Sequence, residues 1–280
     1  KYRTDTLTGT KIDGLEVARA VKARVKKAAD ELKSQGINPC LATVLVGDNQ
    51  ASTTYVKNEQ KACAEVGIVT KDHHIPASIS QRELNDLVDS LNNDRSVHGM
   101  LVQLPLPDQI NEFEAISRIS PIKDVDGLTP YNAGLLAMGK AALKACTPSG
   151  IMELFDYYKI ELAGKNVVMI NRSNLIGKPL YHLLLEKNAT VTTCHSKTKN
   201  LAEFTKLADI IITAVGDRTK FTLKQDMIKN DAVVIDVAIT RHDGKLAGDC
   251  DYEDIIKKAS FATPVPGGVG PMTVAMLLKN

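Results

Sequence analysis

Apolar positions recur at helical spacing through residues 14–36, where Leu15, Ala18, Val21, Val25, Ala28, Ala29 and Leu32 share one face. Gly36 stops that helix, and a continuous apolar run at 41–46 follows, ending in Gly47-Asp48-Asn49. The alternation then repeats. Helical spacing at 52–66 closes on Gly67, a strand at 69–75 is bounded by Gly67 and Pro76, and 81–91 predicts another helix. A strand at 97–104 runs into the stop Pro105-Leu106-Pro107. Continuous apolar strands separated by helices predict a parallel sheet covered on both faces.

The same rhythm restarts near Thr147-Pro148. A helix at 149–158 precedes a short buried strand at 166–170. The helix at 177–187 carries Pro179 in its first turn, where a missing N–H costs nothing. Strands at 189–194, 210–215, 232–237 and 260–263 alternate with helices at 200–206, 252–258 and 271–278. This second block predicts a doubly wound nucleotide-binding domain. The expected architecture is α/β in two domains with ligands held in the cleft between them. No repeat of solenoid period and no low-complexity stretch breaks the pattern.

Composition narrows the function classes. At 280 residues the chain has room for about two domains. With 44% hydrophobic and 24% charged residues it is neither disordered nor fibrous. Lys and Arg number 35 against 33 Asp and Glu, interspersed, so neither nucleic acid nor an anionic membrane surface is an expected partner. The apolar runs are strand-length, too short to span a bilayer. No basic-then-apolar signal pattern opens the stretch at Lys1, and the lack of an initiator Met points to a trimmed end. Cys40, Cys63, Cys146, Cys194 and Cys250 are odd in number with no C-x-x-C pair, which argues against a disulfide framework or a zinc site. Reduced thiols place the chain in the cytoplasm or an organelle matrix. Strand alternation sends His73 and His74 to opposite faces, so no metal site is expected there.

Candidate chemistry begins at Asn171-Arg172-Ser173-Asn174-Leu175-Ile176-Gly177, between a strand and a helix. Such a turn suits a pyrophosphate at a helix N-terminus, although it lacks G-x-G-x-x-G and is equally readable as an ordinary strand-to-helix turn. Asn at the first position tolerates a left-handed backbone, which would preserve the turn. The next strand ends in Cys194-His195-Ser196-Lys197-Thr198, where an NAD enzyme would place an acid to hold the ribose 2′-hydroxyl. Hydroxyl, imidazole and ammonium groups there, with Arg172, suit a 2′-phosphate instead, so NADP is the expected cofactor if a dinucleotide binds.

Four more segments carry unusual composition: Ser52-x-x-Tyr55, Val102-Gln103-Leu104-Pro105-Leu106-Pro107, Pro121-Ile122-Lys123-Asp124-Val125-Asp126-Gly127-Leu128, and Thr263-Pro264-Val265-Pro266-Gly267-Gly268-Val269-Gly270-Pro271-Met272-Thr273. Singly they are a helix cap, an edge-strand stop, a solvated turn and a rigid loop. In this order and spacing, from about Ile12 to Leu278, the chain resembles the methylenetetrahydrofolate dehydrogenase/cyclohydrolase family of one-carbon metabolism, a supplier of purine biosynthesis. The resemblance implies a folate-binding catalytic domain over 1–147, a Rossmann-like NADP domain over 148–270, and a last helix, 271–280, returning to the first domain. It also implies a homodimer. The family's pterin-stacking tyrosine falls on Tyr55, its active-site glutamine on Gln103 and its pterin-anchoring aspartate on Asp126. Ser52, Pro264, Gly267, Gly268 and Pro271 complete the implied substrate set. Arg172, Ser173, Gly177 and Ser196, with Thr147, Asn171, His195, Ala214, Gly216 and Ile239, form the implied NADP set.

One position departs. The family reads Tyr-x-x-x-Lys, and here the residue four after Tyr55 is Glu59; Lys57 and Lys61 lie at the wrong angles round the helix to replace the lysine. Asn171 and Ala238 also stand where the family usually has glycine. Hydride transfer from methylene-folate needs alignment more than proton transfer, whereas hydrolysis of the methenyl cation needs protons moved, which is the lysine's work. The expectation is therefore an NADP-dependent dehydrogenase with weak or lost cyclohydrolase. A fully bifunctional enzyme using another base, and a non-catalytic folate- or nucleotide-binding relative, stand as alternatives.

Overall fold

The computed structural model describes residues 9–280. Strand β1 (Thr10–Lys11) leads into helix α1 (Gly14–Ser34), whose first N–H groups at Leu15 and Glu16 donate to the Asp13 carboxylate at 3.0 and 3.2 Å. Strand β2 (Cys40–Val46) is buried along its whole length. Helix α2 (Gln50–Val66) starts where the Asn49 side chain accepts from Ser52 N, and it ends at Gly67, whose φ of 81° only glycine adopts freely. Strand β3 (Val69–Ile75), helix α3 (Gln81–Asn93) and strand β4 (Gly99–Val102) follow, with a Ser80–Glu83 capping box opening α3. The three strands pair in parallel in the order β3-β2-β4. Helices α4 (Glu112–Ser117) and α5 (Pro130–Ala137) are short. Ala42, Val44, Leu84, Val88, Met100 and Val102 pack into one core.

Helix α6 (Cys146–Tyr157), strand β5 (Asn166–Ile170), helix α7 (Gly177–Glu186), strand β6 (Thr190–Cys194), helix α8 (Leu201–Thr205) and strand β7 (Ile210–Thr213) repeat the alternation. A 3-10 turn at Gln225–Met227 precedes β8 (Val233–Asp236) and the hairpin of β9 (Thr240–His242) and β10 (Lys245–Ala247). Helix α9 (Tyr252–Ile255), strand β11 (Phe261–Ala262) and helix α10 (Gly270–Lys279) complete the chain. The larger sheet runs β1-β11-β8-β7-β5-β6, parallel throughout. Without β1 this is the 2-1-3-4-5 order of a doubly wound fold, with its switch point between β5 and β7.

Two compact units emerge. One joins the first segment, ending at Ala18, to Thr147–Thr273; the other joins Arg19–Cys146 to Val274–Asn280. Their boundaries fall inside α1, α6 and α10. Several strands are shorter than the apolar runs that encode them. The run at 97–104 pairs only over Gly99–Val102 and that at 210–215 only over Ile210–Thr213. The trailing residues leave the ladder and form turns at the carboxyl edge, where the candidate site residues sit. Pattern reading missed α4, α5, the β9–β10 hairpin and β1. The first two are too short to show a helical period, and β1 exists only because β11 supplies its partner. Among the described residues no helix is long and apolar enough to cross a membrane.

Candidate active site

Helix α2 carries Ser52, Tyr55 and Glu59. The Tyr55 side chain is 54% exposed and offers a flat face for stacking. One turn further on, Glu59 is only 8% exposed, and its Oε2 has no hydrogen-bond partner. Leaving a carboxyl oxygen buried and unpaired is costly, and proteins keep such groups where they serve a site. Burial pushes the Glu59 carboxyl up to about 8, and the negative charges of Asp126 and Asp72 add to it. Lys57 and Lys61 are exposed, so no lysine of this helix takes Glu59's buried place.

The charged turn after residue 120 divides its labour. Met100 N donates to Lys123 O at 2.8 Å, and Met100 and Asp124 form a parallel bridge, so this segment runs beside β4. The Lys123 ammonium is buried and donates to Leu91 O and Asp94 O at 3.0 and 2.9 Å, capping the end of α3. Asp124 accepts from Leu128 N, Thr129 N and Asn132 Nδ2, which makes it the hub of the turn. Asp126 is half-buried; burial pushes its carboxyl up to about 7, with the charge of Asp124 second. The charge of Asp126 is one of the causes that raise the Glu59 carboxyl, so the two carboxyls disfavour each other's ionisation. Val125, between the two aspartates, has its carbonyl held by Asn280 Nδ2 at 2.7 Å and Cys146 Sγ at 3.4 Å. Gln103 follows β4, with its N–H donating to Val44 O at 2.8 Å and its side chain half-buried.

In the other unit, the turn after β5 is built by a side chain. Asn171 Oδ1 accepts from Ser173 N and Ser173 Oγ at 2.8 Å and from Gly177 N at 2.9 Å. Its Nδ2 donates to Ala214 O at 2.9 Å, across the β5–β7 switch point. Asn171 is not among the residues with positive φ, so the expected left-handed backbone is corrected: Asn171 shapes the turn through its amide. Gly177 is required by contact, because a Cβ there would lie 2.4 Å from Asn171 O. Arg172 stands exposed on this turn.

After β6, His195 N donates to Thr198 Oγ1 and Thr198 N to His195 O, both at 2.8 Å, a tight turn that leaves Ser196 and Lys197 exposed. Exposed Arg172 after β5 and exposed Ser196 and Lys197 after the neighbouring β6, with no carboxylate between 194 and 199, are residue types that suit a 2′-phosphorylated dinucleotide. Ala214 and Gly216 follow β7, and Ile239 is 48% exposed after β8. Thr147 Oγ1 meets Thr273 Oγ1 at 2.8 Å. The loop with Pro264, Gly267, Gly268 and Pro271 is tied to the start of α1 by Gly14 N donating to Gly267 O at 2.9 Å. All of these residues belong to the unit holding Thr147–Thr273, whereas Ser52, Tyr55, Glu59, Gln103 and Asp126 share the other. Among the described residues no cluster of His, Cys, Asp or Glu could hold a metal ion. The His74 ring instead meets Gly47 O at 2.9 Å.

Residues 12–126 match the catalytic domain of the tetrahydrofolate dehydrogenase/cyclohydrolase family, and residues 145–280 match its NAD(P)-binding domain. This chain belongs to that family. It is 74% identical to the bifunctional protein FolD of Nitrosopumilus maritimus, with 98% of this chain and 96% of that protein covered. The crystal structure of the bifunctional FolD enzyme from Campylobacter jejuni is similar at a TM-score of 0.94 and 48% identity, covering 96% of both chains. A Trypanosoma brucei FolD complexed with NADP cofactor and an inhibitor is similar at a TM-score of 0.91 and 37% identity, over 97% of this chain and 95% of that one. The two-domain α/β FolD fold expected from the motifs is the one observed, with a catalytic domain followed by a Rossmann-like NAD(P)-binding domain. The side-chain role of Asn171 had no signal in the sequence, because its partner Ala214 lies 43 residues away.

Proposed function

We propose that this chain is a bifunctional enzyme, an NADP-dependent 5,10-methylenetetrahydrofolate dehydrogenase and a methenyltetrahydrofolate cyclohydrolase, in which Glu59 stands at the family's lysine position. The names of its relatives favour the bifunctional alternative over the expectation of weak or lost cyclohydrolase. A physical reason supports the same revision. The Glu59 carboxyl, raised to about 8 by burial, keeps its proton at neutral pH and can donate it. The observation that carries the proposal is this buried, unpartnered carboxyl one turn from Tyr55 and within electrostatic reach of Asp126.

In this proposal Tyr55 stacks on the pterin and ionised Asp126 accepts its amino and ring N–H donors, with Gln103 and Ser52 beside them. Pro264, Gly267, Gly268 and Pro271 belong to the same substrate set. NADP, when bound, supplies the hydride acceptor. Asn171, Arg172, Ser173 and Gly177 would hold its phosphates, with Arg172 and Ser196 on the 2′-phosphate and Thr147, His195, Ala214, Gly216 and Ile239 around the rest. In hydrolysis, water adds to the methenyl carbon and sheds both protons as its oxygen becomes the formyl oxygen; the nitrogen whose C–N bond breaks takes one, and the other leaves to solvent, discharging the cation. A group titrating near the working pH serves either transfer, and Glu59 is such a group.

Two spectrophotometric assays test this. NADPH should form from methylene-folate, and added methenyl-folate should decay faster than its uncatalysed rate in the same preparation. Hydride transfer without hydrolysis would restore the single-activity alternative, and neither signal would leave a binding protein.

A further inference from the structure

Asp249 lies in the turn between β10 and α9, and it is completely buried. Its Oδ2 accepts from Thr213 Oγ1 and from Val215 N, both at 2.7 Å, and its Oδ1 accepts from Gly216 N at 2.9 Å. All three donors come from one short stretch at the carboxyl end of β7, beside the switch point. Within the same stretch, Ala214 O accepts from Asn171 Nδ2. Residues 214–216 are thus held by an acceptor side chain and a donor side chain together. Gly216 sits at φ 74°, a backbone shape that has to be held in place.

The turn that carries Asp249 is itself clamped. Asp236 accepts from Asp249 N at 3.0 Å and from Cys250 N at 2.8 Å, and Arg218 Nη1 donates to Gly248 O and Cys250 O, both at 2.9 Å. A carboxylate is acceptor-only, so it alone among side chains of this size satisfies three converging donors. Burying a charge is expensive, and packing alone would be met by an apolar residue. We propose that Asp249 is a positioning residue for the dinucleotide, fixing residues 214–216 in the shape that receives it. This rests on the NADP assignment above and extends it to a residue outside the cofactor set.

The test compares the unaltered protein with Asp249→Asn, an isosteric change that presents an N–H₂ to donors already there. Calorimetric titration with NADP should show binding weakened by about tenfold, as expected when charge-assisted bonds to a loop are lost. In turnover the KM for NADP should rise by a similar factor while kcat changes much less. Methenyl-folate decay without cofactor should be unchanged, which a general structural defect would not allow. Unchanged NADP affinity, or equal loss of both activities, overturns the proposal. If Asp249→Asn does not fold, Thr213→Val decides: it removes one of the three donors, and NADP affinity equal to that of the unaltered protein would reject the role. Absence of both activities from an unaltered protein that still binds NADP would count against the enzyme assignment and leave Asp249 testable by calorimetry.

Discussion

Replacing Glu59 with Gln should change how stability depends on pH, by an amount that the burial of this side chain sets. The carboxyl titrates near its ordinary value of 4.5 in the unfolded chain and at about 8 in the folded one. Between those values the folded state holds a proton that the unfolded state has lost, so stability falls as pH rises and levels off above the folded value. From pH 6 to pH 9 the folded group passes through its whole titration, and at about 1.36 kcal/mol per pH unit the loss is roughly 3 kcal/mol. Gln has the same shape and no titration. Whatever constant cost its amide incurs in a pocket where Oε2 finds no partner, that cost is the same at both pH values. Asp126 titrates in both proteins, so the two differ by Glu59's own titration together with its coupling to Asp126. The chain has no tryptophan, so urea unfolding is followed by circular dichroism. At about 3 kcal/mol per molar urea, the unaltered protein's midpoint should drop about 1 M more than the variant's between pH 6 and 9. Parallel pH dependences, agreeing to within about 1 kcal/mol, would show that Glu59 is solvated or paired in solution and refute the reasoning.

The remaining expectations concern the same two regions. Catalysed methenyl-folate hydrolysis, corrected for the spontaneous rate, should decline as pH rises through about 8 and Glu59 loses its proton, an inflection that Glu59→Gln should abolish. Glu59→Lys should place an ammonium by Asp126 and draw that carboxyl down from about 7, visible as an acid-shifted titration by NMR, with hydride transfer retained. Arg172→Ala should weaken NADP binding by about 1–3 kcal/mol more than NAD binding, and equal losses would remove Arg172 from the 2′-phosphate.

The sequence by itself determined the strand–helix alternation and the two-part organisation. Apolar runs such as Cys40–Val46 and Ile210–Thr213 can be satisfied only inside a parallel sheet buried on both faces. It also determined which residue types reach the carboxyl edges of β4 and β5, since Gln103 and Asn171 each follow directly on an apolar strand. Tertiary structure decided everything that depends on partners distant in the chain. β1 becomes a strand by pairing with β11, and the shape of the Asn171 turn is shared with Ala214. Lys123, Asp124 and Asp126 look alike in the sequence, yet two are consumed by hydrogen bonds to the turn and to α3, while burial lifts the third towards neutrality. Glu59 shows the difference most sharply. Its spacing from Tyr55 was legible, but the burial that dominates its proton affinity was not, because the solvent a carboxyl loses is fixed only by the folded chain.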